Sequence, residues 1–411
     1  MSDFVRRLAL RSWTGLQSLW TMVGVTLVLL LLIEGTARVA QQLRAPVLPA
    51  PLARDDPRRA LEWWPEFNRE LDETRPQRWR PYVYYGVYPS YHGRYINIDS
   101  AGHRATPQRS SPGEPALRVL VLGGSTVWGT SQRDSATIPA ELARRLQALV
   151  GDGTRVEVTN MGQSGYVTTQ GVLEVILALR SGYRPDLVVA YEGINDVAAT
   201  MQYGAPGFPQ NESKRAEEFA LGRSLDRTRY DRGFRHDMRA LGRLGVEAFQ
   251  QSAFVDWVKS LRPAAVPALL TVDSAAHGTA RVYAENARVI EGLSKTYGFT
   301  AVHVWQPSLH ATGKVPTAFE ARLLRGIAAD PFQRRMQEVY KAVPPLLDSV
   351  MPAIAPGRFV NAGALFAGDS QPVFVDRIGH NTEPVIPVIV DAFWPTVKAA
   401  LAARRPSRTG A

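Results

Sequence analysis

Short apolar runs alternate with helical segments through the middle of the chain. Three such runs span residues 119–122, 156–158 and 187–191, and residues 135–150 and 168–181 have helical patterning. Apolar runs of this length, bounded by glycine and polar residues, are typical of strands that are buried on both faces of a sheet. Strands that alternate with helices predict an α/β domain with a central parallel sheet and helices on both faces.

The alternation continues towards the C-terminus. We predict further strands at 269–272 and 299–305, a helix near 280–296 and a closing helix at 381–403. Residues 197–262 interrupt this pattern because they are polar and charged, and we interpret them as an insertion that could form a lid or a substrate wall.

An apolar segment lies near the N-terminus. Residues 15–37 include an uncharged stretch of about 20 residues, which is near the length that spans a bilayer. Three arginines in residues 1–14 precede it, so the positive-inside rule predicts a cytoplasmic N-terminus and an exported remainder. A cleaved signal peptide is one alternative, with small residues at 35–37 near a cleavage site, and a buried core helix is another.

Composition divides the rest of the chain. Residues 38–60 are rich in Pro, Ala and Arg, as a linker would be. Residues 61–115 form an aromatic-rich extension, residues 116–404 form the predicted α/β domain with its insertion, and residues 405–411 form a basic tail.

The aromatic residues of the extension have two interpretations. They could pack an ordered extension onto the domain, which we favour, or they could line a sugar-binding surface. The residues concerned are Trp63, Trp64, Trp79, Tyr82, Tyr84, Tyr85, Tyr88, Tyr91 and Tyr95.

The charge balance is basic and cysteine is absent. A formal net charge of +10 can indicate nucleic acid, anionic lipid or an acidic polymer as a partner. We favour a solvated arginine-rich surface, and we predict no nucleic-acid partner because no recognition helix or other nucleic-acid-binding signature occurs. The lack of cysteine excludes disulfides, thiolate metal sites and a cysteine nucleophile, and we predict no metal site and no cofactor.

Four polar or glycine-rich blocks mark the expected site. In an open parallel sheet, ligands bind at the carboxyl ends of the strands. One block follows each of the first three predicted strands and the fourth lies near the end of the domain. The blocks are Gly123-Gly124-Ser125-Thr126, residues 160–166, residues 192–196 and Asp376-Arg377-Ile378-Gly379-His380.

These blocks, in this order, resemble the signature blocks of the SGNH/GDSL hydrolase superfamily over roughly residues 117–393. The aromatic lead-in and Trp305-Gln306-Pro307 also resemble a bacterial, membrane-anchored subgroup of it. The resemblance implies a three-layer α/β/α, flavodoxin-like fold, preceded here by a transmembrane helix, and serine esterase chemistry.

The candidate nucleophile is Ser125, on a glycine-flanked turn where its hydroxyl can be exposed. A serine hydroxyl needs a base to take its proton. The resemblance implies that His380 is this base and that Asp376 orients its imidazole. Because the two residues are four apart, a helical turn would put them on one face. Helix capping is the alternative role for Ser125, and a local ion pair is the alternative for Asp376 and His380.

Oxyanion donors are also assigned by the resemblance. They are the backbone N–H groups of Ser125 and Gly165 and the side-chain amide of Asn195. Gly162 supports the turn that holds Gly165, and we expect Asp196 to anchor its loop by hydrogen bonds rather than to touch substrate.

The sequence departs from the superfamily pattern at two places. The superfamily usually spaces the last Asp and His three apart, and Gly379 is an extra residue here, which glycine could absorb as a bulge. Gly124 replaces the usual aspartate before the serine. A literal Gly368-Asp369-Ser370 occurs near the C-terminus, but it follows no clear strand and we interpret it as a decoy.

Three functions fit these blocks. We favour hydrolysis of an ester, with removal of an acyl or acetyl group from a carbohydrate or lipid outside the cytoplasm. An O-acetyltransferase would use the same site with a sugar hydroxyl as acceptor, and a non-catalytic binding protein would retain the fold alone. The observation that separates the last from the first two is whether Ser125 and His380 come within about 3 Å of each other.

Overall fold

The computed structural model describes residues 3–43, 52–108, 116–210, 270–311 and 313–404, together with residues 212, 252 and 254. Residues 44–51 of the predicted linker, nearly all of the predicted insertion beyond residue 210, and the predicted tail at 405–411 lie outside the described residues.

The chain divides into two compact units. One comprises Met1–Pro51 and Lys214–Val266, and the other comprises Leu52–Ser213 and Pro267–Ala411. The second unit contains the sheet and all four sequence blocks. It also contains the aromatic extension that we predicted as a separate segment.

Ten α-helices lie within the described residues. They are α1 (Asp3–Leu43), α2 (Trp64–Thr74), α3 (Ser125–Trp128), α4 (Ile138–Val150), α5 (Thr168–Arg180), α6 (Ile194–Tyr203), α7 (Val272–Tyr297), α8 (Ala318–Ala329), α9 (Pro331–Ile354) and α10 (Ile386–Ala403). Short 3-10 helices span Pro57–Ala60, Asp134–Ala136 and Glu383–Val385.

Nine strands lie within the same part of the chain. They are β1 (Gln77–Arg80), β2 (Tyr84–Val87), β3 (Tyr91–His92), β4 (Asn97–Ile98), β5 (Ala116–Gly123), β6 (Arg155–Asn160), β7 (Leu187–Glu192), β8 (Thr300–Trp305) and β9 (Phe359–Asn361). The last five form a parallel sheet in the order β6-β5-β7-β8-β9, while β1–β2 and β3–β4 pair antiparallel.

Both faces of the parallel sheet are covered by helices. Along β5, Val119 and Val121 pack in the cluster that contains side chains of α4 and α10. The alternate residues Leu120 and Leu122 pack in the cluster that contains side chains of α5 and α7. Successive side chains of a strand point to opposite faces, so an unbroken apolar run fits this position. The predicted three-layer α/β/α fold is confirmed.

One predicted strand is wrong. Residues 270 and 271 are not in a strand, and α7 begins at Val272 because the Thr271 hydroxyl accepts a hydrogen bond from the Ser274 N–H at 3.1 Å. A Thr side chain at this position caps a helix and ends any extended run. The fifth strand of the sheet is instead β9, which pairs with β8. It has three residues and gave no clear apolar signal.

The N-terminal helix contains the apolar segment. Trp20–Val39 has a mean hydropathy of 1.9 over its most apolar window, none of it buried, and is long enough to cross a membrane. Helix α1 continues to Leu43, so the first residues of the predicted linker at 38–60 are helical rather than extended. The stretch Glu383–Ala403 is also apolar and long enough, but α10 packs in the core of the second unit.

Residues 52–108, which we call the lead-in, pack onto the α/β domain. Phe67 and Leu71 of α2 cluster with Trp128 of α3. The buried Glu70 carboxylate accepts hydrogen bonds from the N–H groups of Arg94, Tyr95 and Ile96 at 2.7, 2.9 and 2.8 Å. Such bonds satisfy backbone donors that burial would otherwise leave unpaired.

The aromatic residues of the lead-in differ in their burial. Trp64 and Tyr85 are buried, as packing requires, whereas Trp79, Tyr82 and Tyr88 are 57%, 63% and 56% exposed. Packing therefore accounts for the first pair. Trp79 and Tyr82 contact Tyr84 and Arg180, respectively, but remain more than half exposed.

Candidate active site

The candidate nucleophile lies where β5 ends. Gly124 precedes Ser125, which is the first residue of α3. A Cβ on Gly123 would lie 2.6 Å from the carbonyl oxygen of Tyr191, and one on Gly124 would lie 2.1 Å from Asn195 Nδ2. Only glycine fits between these groups. Gly124 stands where the superfamily usually has aspartate, and here the Asn195 amide contacts its backbone.

Ser125, His380 and Asp376 form a continuous hydrogen-bonded row. The Ser125 Oγ lies 2.7 Å from His380 Nε2, and His380 Nδ1 lies 2.5 Å from Asp376 Oδ2. An ionised carboxylate can only accept, so Nδ1 carries the hydrogen and donates to it. In the neutral imidazole, Nε2 is then the acceptor for the Ser125 hydroxyl.

The Asp376–His380 segment is a tight loop and not the helical turn that we expected from the spacing. Asp376 Oδ1 accepts hydrogen bonds from the N–H groups of Ile378, Gly379 and His380 at 3.0, 3.0 and 3.2 Å. Gly379 has φ of 104°, a conformation that glycine adopts without steric cost. The extra residue is accommodated in this way, and the carboxylate still reaches the imidazole.

Asp376 has an environment that favours its charged form. Burial of the carboxyl acts to raise its pKa, but the charge and hydrogen bond of His380, with the backbone N–H groups of His380 and Gly379, hold the pKa below its usual value. The carboxylate therefore stays ionised at neutral pH and can fix the orientation of the imidazole.

The backbone N–H groups of Ser125 and Gly165 are the first two predicted oxyanion donors. Within the described residues, the N–H groups of Ser125 and Gly165 have no hydrogen-bond partner. Gly165 has φ of 79°, and a Cβ there would lie 2.7 Å from Gln210 Oε1 and 3.0 Å from the Tyr85 hydroxyl. A side chain at this position would collide with the lead-in and with the segment that follows α6.

The Asn195 amide is oriented by one hydrogen bond. Its Nδ2 donates to the carbonyl oxygen of Tyr166 at 2.9 Å and retains a second hydrogen beside Gly124. The buried side chain of Asn195 lies at the start of α6, directly after β7. The three predicted oxyanion donors thus follow β5, β6 and β7, at the carboxyl ends of these parallel strands.

Gly162 and Asp196 occupy supporting positions. The Gly162 N–H donates to Asn160 Oδ1 at 2.9 Å, and the Asn160 amide donates to the Val127 carbonyl at 3.0 Å. Asp196 Oδ1 accepts hydrogen bonds from the N–H and hydroxyl of Thr168 at 3.0 and 2.7 Å. These bonds attach the loop after β6 to α3 and the start of α5 to α6.

Sequence reasoning did not find Arg104, which is 1% exposed and contacts the end of α3, the helix that begins at Ser125. Its guanidinium donates to Asp134 at 2.7 Å, to the carbonyl oxygens of Trp128 and Gly129 at 3.0 and 2.5 Å, and to that of Gln132 at 2.6 Å. Trp128 and Gly129 end α3, so Arg104 satisfies carbonyls that the short helix leaves unpaired. No sequence pattern distinguishes this arginine from exposed ones.

The Arg104 network continues to the histidine loop. The Gln132 side-chain amide donates to the carbonyl oxygen of Asn381, the residue after His380. Arg133 forms an ion pair with Glu383 at 2.8 Å. The backbone on the Ser125 side and the backbone on the His380 side are therefore tied together behind the two reacting atoms.

A cleft of about 280 Å³ opens beside His380. The lead-in supplies one wall, and α3 and the loop after β6 supply the other. Its lining residues are Leu71, Thr74, Arg75, Gln77, Val87, Trp128, Thr130, Ser164 and His380. Sequence reasoning did not assign the lead-in residues to the site, because nothing in the sequence indicates that they contact the four blocks.

A buried carboxyl lies behind the oxyanion region. Glu192, at the end of β7, is 2% exposed, and its Oε1 has no hydrogen-bond partner within the described residues. Burial, with the nearby charge of Asp196, raises the pKa of Glu192 well above its usual value. Burial also raises the pKa of Asp196, to about 6. The environment of Glu192 therefore favours its neutral form in the folded chain.

The second Gly-Asp-Ser sequence and two buried histidines outside the site have structural partners. Gly368-Asp369-Ser370 forms a turn in which Asp369 Oδ1 accepts the Gln371 N–H at 2.7 Å. His303 contacts Glu291 at 3.1 Å, and His310 contacts the Arg377 carbonyl at 2.9 Å. Among the described residues, no group of three or more His, Cys, Asp or Glu side chains could hold a metal ion.

Comparisons with known proteins identify the domain. Residues 121–322 match the model of the GDSL-like lipase/acylhydrolase family. The chain carries a GDSL-like lipase/acylhydrolase domain. It is an ester-bond hydrolase domain, and the matched region contains Ser125, Gly165 and Asn195. A search of curated proteins finds no match.

Solved structures that align with the chain have low sequence identity to it. LAE5, an alpha/beta hydrolase enzyme from the metagenome of Lake Arreo, Spain, is 14% identical with a TM-score of 0.38, covering 70% of this chain and 97% of that one. A catalytic mutant of Axe2, an acetylxylan esterase from Geobacillus stearothermophilus, is 16% identical with a TM-score of 0.35, covering 69% and 95%. A two-domain esterase active on acetylated mannans is 10% identical with a TM-score of 0.37, covering 72% and 53%.

We predict that Arg104→Lys weakens both the fold and the site. A lysine keeps a positive charge beside Asp134, but one ammonium cannot replace the planar fork that reaches three carbonyls. Unpaired buried carbonyls should lower the free energy of unfolding by about 2–4 kcal/mol. Under folding conditions, a fluorophosphonate probe should label Ser125 at least about tenfold more slowly, since the serine and histidine segments lose their common support. The control is Arg94→Lys, whose side chain is 69% exposed. An unchanged labelling rate would contradict a positioning role.

We predict that Glu192→Gln changes how stability depends on pH. In the unfolded chain Glu192 ionises near its usual pKa, whereas the folded chain keeps the proton, so the wild type loses stability as pH rises above that value. Relative to Glu192→Gln, the loss should reach about 1.4 kcal/mol per pH unit until the folded carboxyl ionises. Urea unfolding from pH 5 to 8 measures the difference, with exposed Glu62→Gln as the control. A difference that stays constant over this range would show that Glu192 is ionised in the fold.

Proposed function

We propose that this protein is a serine acyl hydrolase in which Ser125, His380 and Asp376 act as a triad. The observation that carries the proposal is the unbroken row from Ser125 Oγ through the His380 imidazole to Asp376, with separations of 2.7 and 2.5 Å. These distances lie within hydrogen-bond range and give each group its role: nucleophile, general base and orienting carboxylate.

In the first half of the reaction, Ser125 Oγ forms a bond to the carbonyl carbon of the ester. The hydroxyl proton passes to His380 Nε2, and the carbonyl oxygen becomes an oxyanion. When the ester C–O bond breaks, the imidazolium returns the proton to the departing oxygen, which leaves as an alcohol. Asp376 stabilises the imidazolium, and the acyl group remains on Ser125.

In the second half, water replaces the alcohol. His380 Nε2 accepts a proton from the water as its oxygen bonds to the acyl carbon. The bond to Ser125 Oγ then breaks, the proton returns to that oxygen, and the acid leaves. Both halves pass through an oxyanion, for which the free N–H groups of Ser125 and Gly165 and the second amide hydrogen of Asn195 are the proposed donors.

The proposed substrate is an acyl or acetyl ester of a carbohydrate or lipid outside the cytoplasm. Apolar Trp20–Val39 would hold the chain in the membrane, and the N-terminal arginines favour a cytoplasmic N-terminus. In this arrangement the hydrolase domain lies on the far side of the membrane, which in a bacterium is the periplasmic or outer side.

A fluorophosphonate probe tests the triad in the full-length, detergent-solubilised protein. The wild type should be labelled, and Ser125→Ala and His380→Ala should lose labelling and at least about 1,000-fold in kcat on p-nitrophenyl acetate. Ser370→Ala is the matched control, because it removes an exposed serine from the other Gly-Asp-Ser sequence. Labelling that survives Ser125→Ala, or that is lost in Ser370→Ala, would refute the assignment, as would a folded wild type that is never labelled.

Single cysteines test the topology, because the chain contains none of its own. In intact cells, a membrane-impermeant maleimide should label Ser370→Cys and should leave Ser2→Cys unlabelled until the membrane is permeabilised. The opposite pattern would place the hydrolase domain in the cytoplasm. Retention of residue 2 in the mature chain, read by mass spectrometry, distinguishes an anchor from a cleaved signal peptide.

A further inference from the structure

The cleft beside His380 contains polar groups that the fold does not use. Gln77 and Ser164 line it, are exposed, and have no side-chain hydrogen-bond partner within the described residues. Arg75 adds a guanidinium that is 69% exposed and makes one surface ion pair with Asp72 at 3.1 Å. An acyl chain cannot form hydrogen bonds with such groups. A hydroxyl-rich ligand can, and each of its hydroxyls that is buried on binding needs a hydrogen-bond partner.

Exposed aromatic rings continue from the cleft along the lead-in. We call Trp79, Tyr82 and Tyr88 the aromatic strip. Trp79 is two residues beyond Gln77 on β1, so both side chains belong to the same face of the hairpin. Val87, which also lines the cleft, pairs with Gln77 across the hairpin. Trp79 therefore extends the face of β1 that begins at the cleft.

The hairpin that carries the strip is rigidly attached to the domain. Arg80 forms an ion pair with the buried Glu174. The Gln170 amide donates to the Val83 carbonyl at 2.8 Å, and the Tyr166 hydroxyl donates to the Tyr85 carbonyl at 2.6 Å. Rings on such a support keep their positions without a loss of entropy when a ligand binds.

The turn between β1 and β2 has an unusual backbone. Tyr82 and Tyr84 both have φ of 70°, in the left-handed region that a tyrosine rarely adopts. Such strain costs of order 1–3 kcal/mol per residue and is concentrated at functional sites. The Tyr82 ring is 63% exposed, and its one cation–π partner among the described residues is Arg180, whose guanidinium carbon lies 5.6 Å from the ring centroid.

We infer that the cleft and the aromatic strip bind a carbohydrate chain that carries the O-acyl group. The inference rests on the proposed function and names its substrate class. Sugar rings present apolar faces that pack on exposed aromatic rings and hydroxyls that bond to side chains such as Gln77 and Ser164. A lipid acyl chain would contact the apolar side chains of the cleft, Leu71, Val87 and Trp128, but it would leave Gln77 and Ser164 without hydrogen-bond partners.

The test compares polymeric and small esters. The ratio of kcat/KM on acetylated xylan or acetylated mannan to kcat/KM on p-nitrophenyl acetate should fall at least tenfold in Trp79→Ala, mainly through KM. Tyr297→Ala is the control, because Tyr297 is an exposed aromatic residue just before β8, at the amino ends of the parallel strands and away from the site. Its ratio should equal that of the wild type.

Two results would overturn the inference. One is an unchanged ratio in Trp79→Ala, or a wild type that cleaves p-nitrophenyl acetate and neither glycan. The other is a selective loss on p-nitrophenyl palmitate or on phospholipid vesicles, which would assign the strip to lipid.

A binding measurement keeps the inference separate from the proposed mechanism. Calorimetry with acetylated xylo-oligosaccharide should detect binding to Ser125→Ala and at least tenfold weaker binding to the Ser125→Ala, Trp79→Ala double variant. If the wild type shows no fluorophosphonate labelling but this difference is found, the mechanism fails and the binding surface stands. Equal affinities of the two variants would refute the surface whatever the enzyme does.

Discussion

The geometry of the site depends on the hydrogen bonds of the buried Arg104 guanidinium. It joins the lead-in to the end of α3 and to Gln132, and through Gln132 to the backbone after His380. A buried charge is costly unless it is paired and fully hydrogen-bonded, and here Asp134 and the carbonyl oxygens meet both conditions. Because these partners have fixed directions, the network allows little movement of one segment against the other. The network therefore supports the 2.7 Å contact between Ser125 and His380 by holding the segments that carry them.

The lead-in is consequently part of the site and not an appendage to it. Its α2 and hairpin form a wall of the cleft, its Tyr85 hydroxyl limits the space at Gly165, and its Arg104 supports α3. These residues shape the approach to the serine from one side. Replacing the lead-in would therefore alter both the shape of the cleft and the alignment of the reacting groups.

The parts of the fold that the sequence predicts well are those with strong local patterns. The unbroken apolar runs of β5 and β7 and the glycines around Ser125 have only one good physical interpretation each. β9 was missed because its three residues depend on pairing with β8 and not on their own composition. The loop at Asp376 was expected to be helical, since spacing alone cannot reveal that a carboxylate accepts three backbone N–H groups. Arg104 and Gln77 could not be found, because their importance arises from contacts between distant segments.

Ser125 and His380 are 255 residues apart in the chain. During synthesis the serine emerges long before its base, and a domain generally folds as a unit. An incomplete or truncated chain thus has a serine hydroxyl with no partner to take its proton, and it cannot be acylated at a useful rate. Reactivity at Ser125 begins only when His380 reaches it, so acylation of this serine reports that the chain has been made and folded at least as far as the histidine.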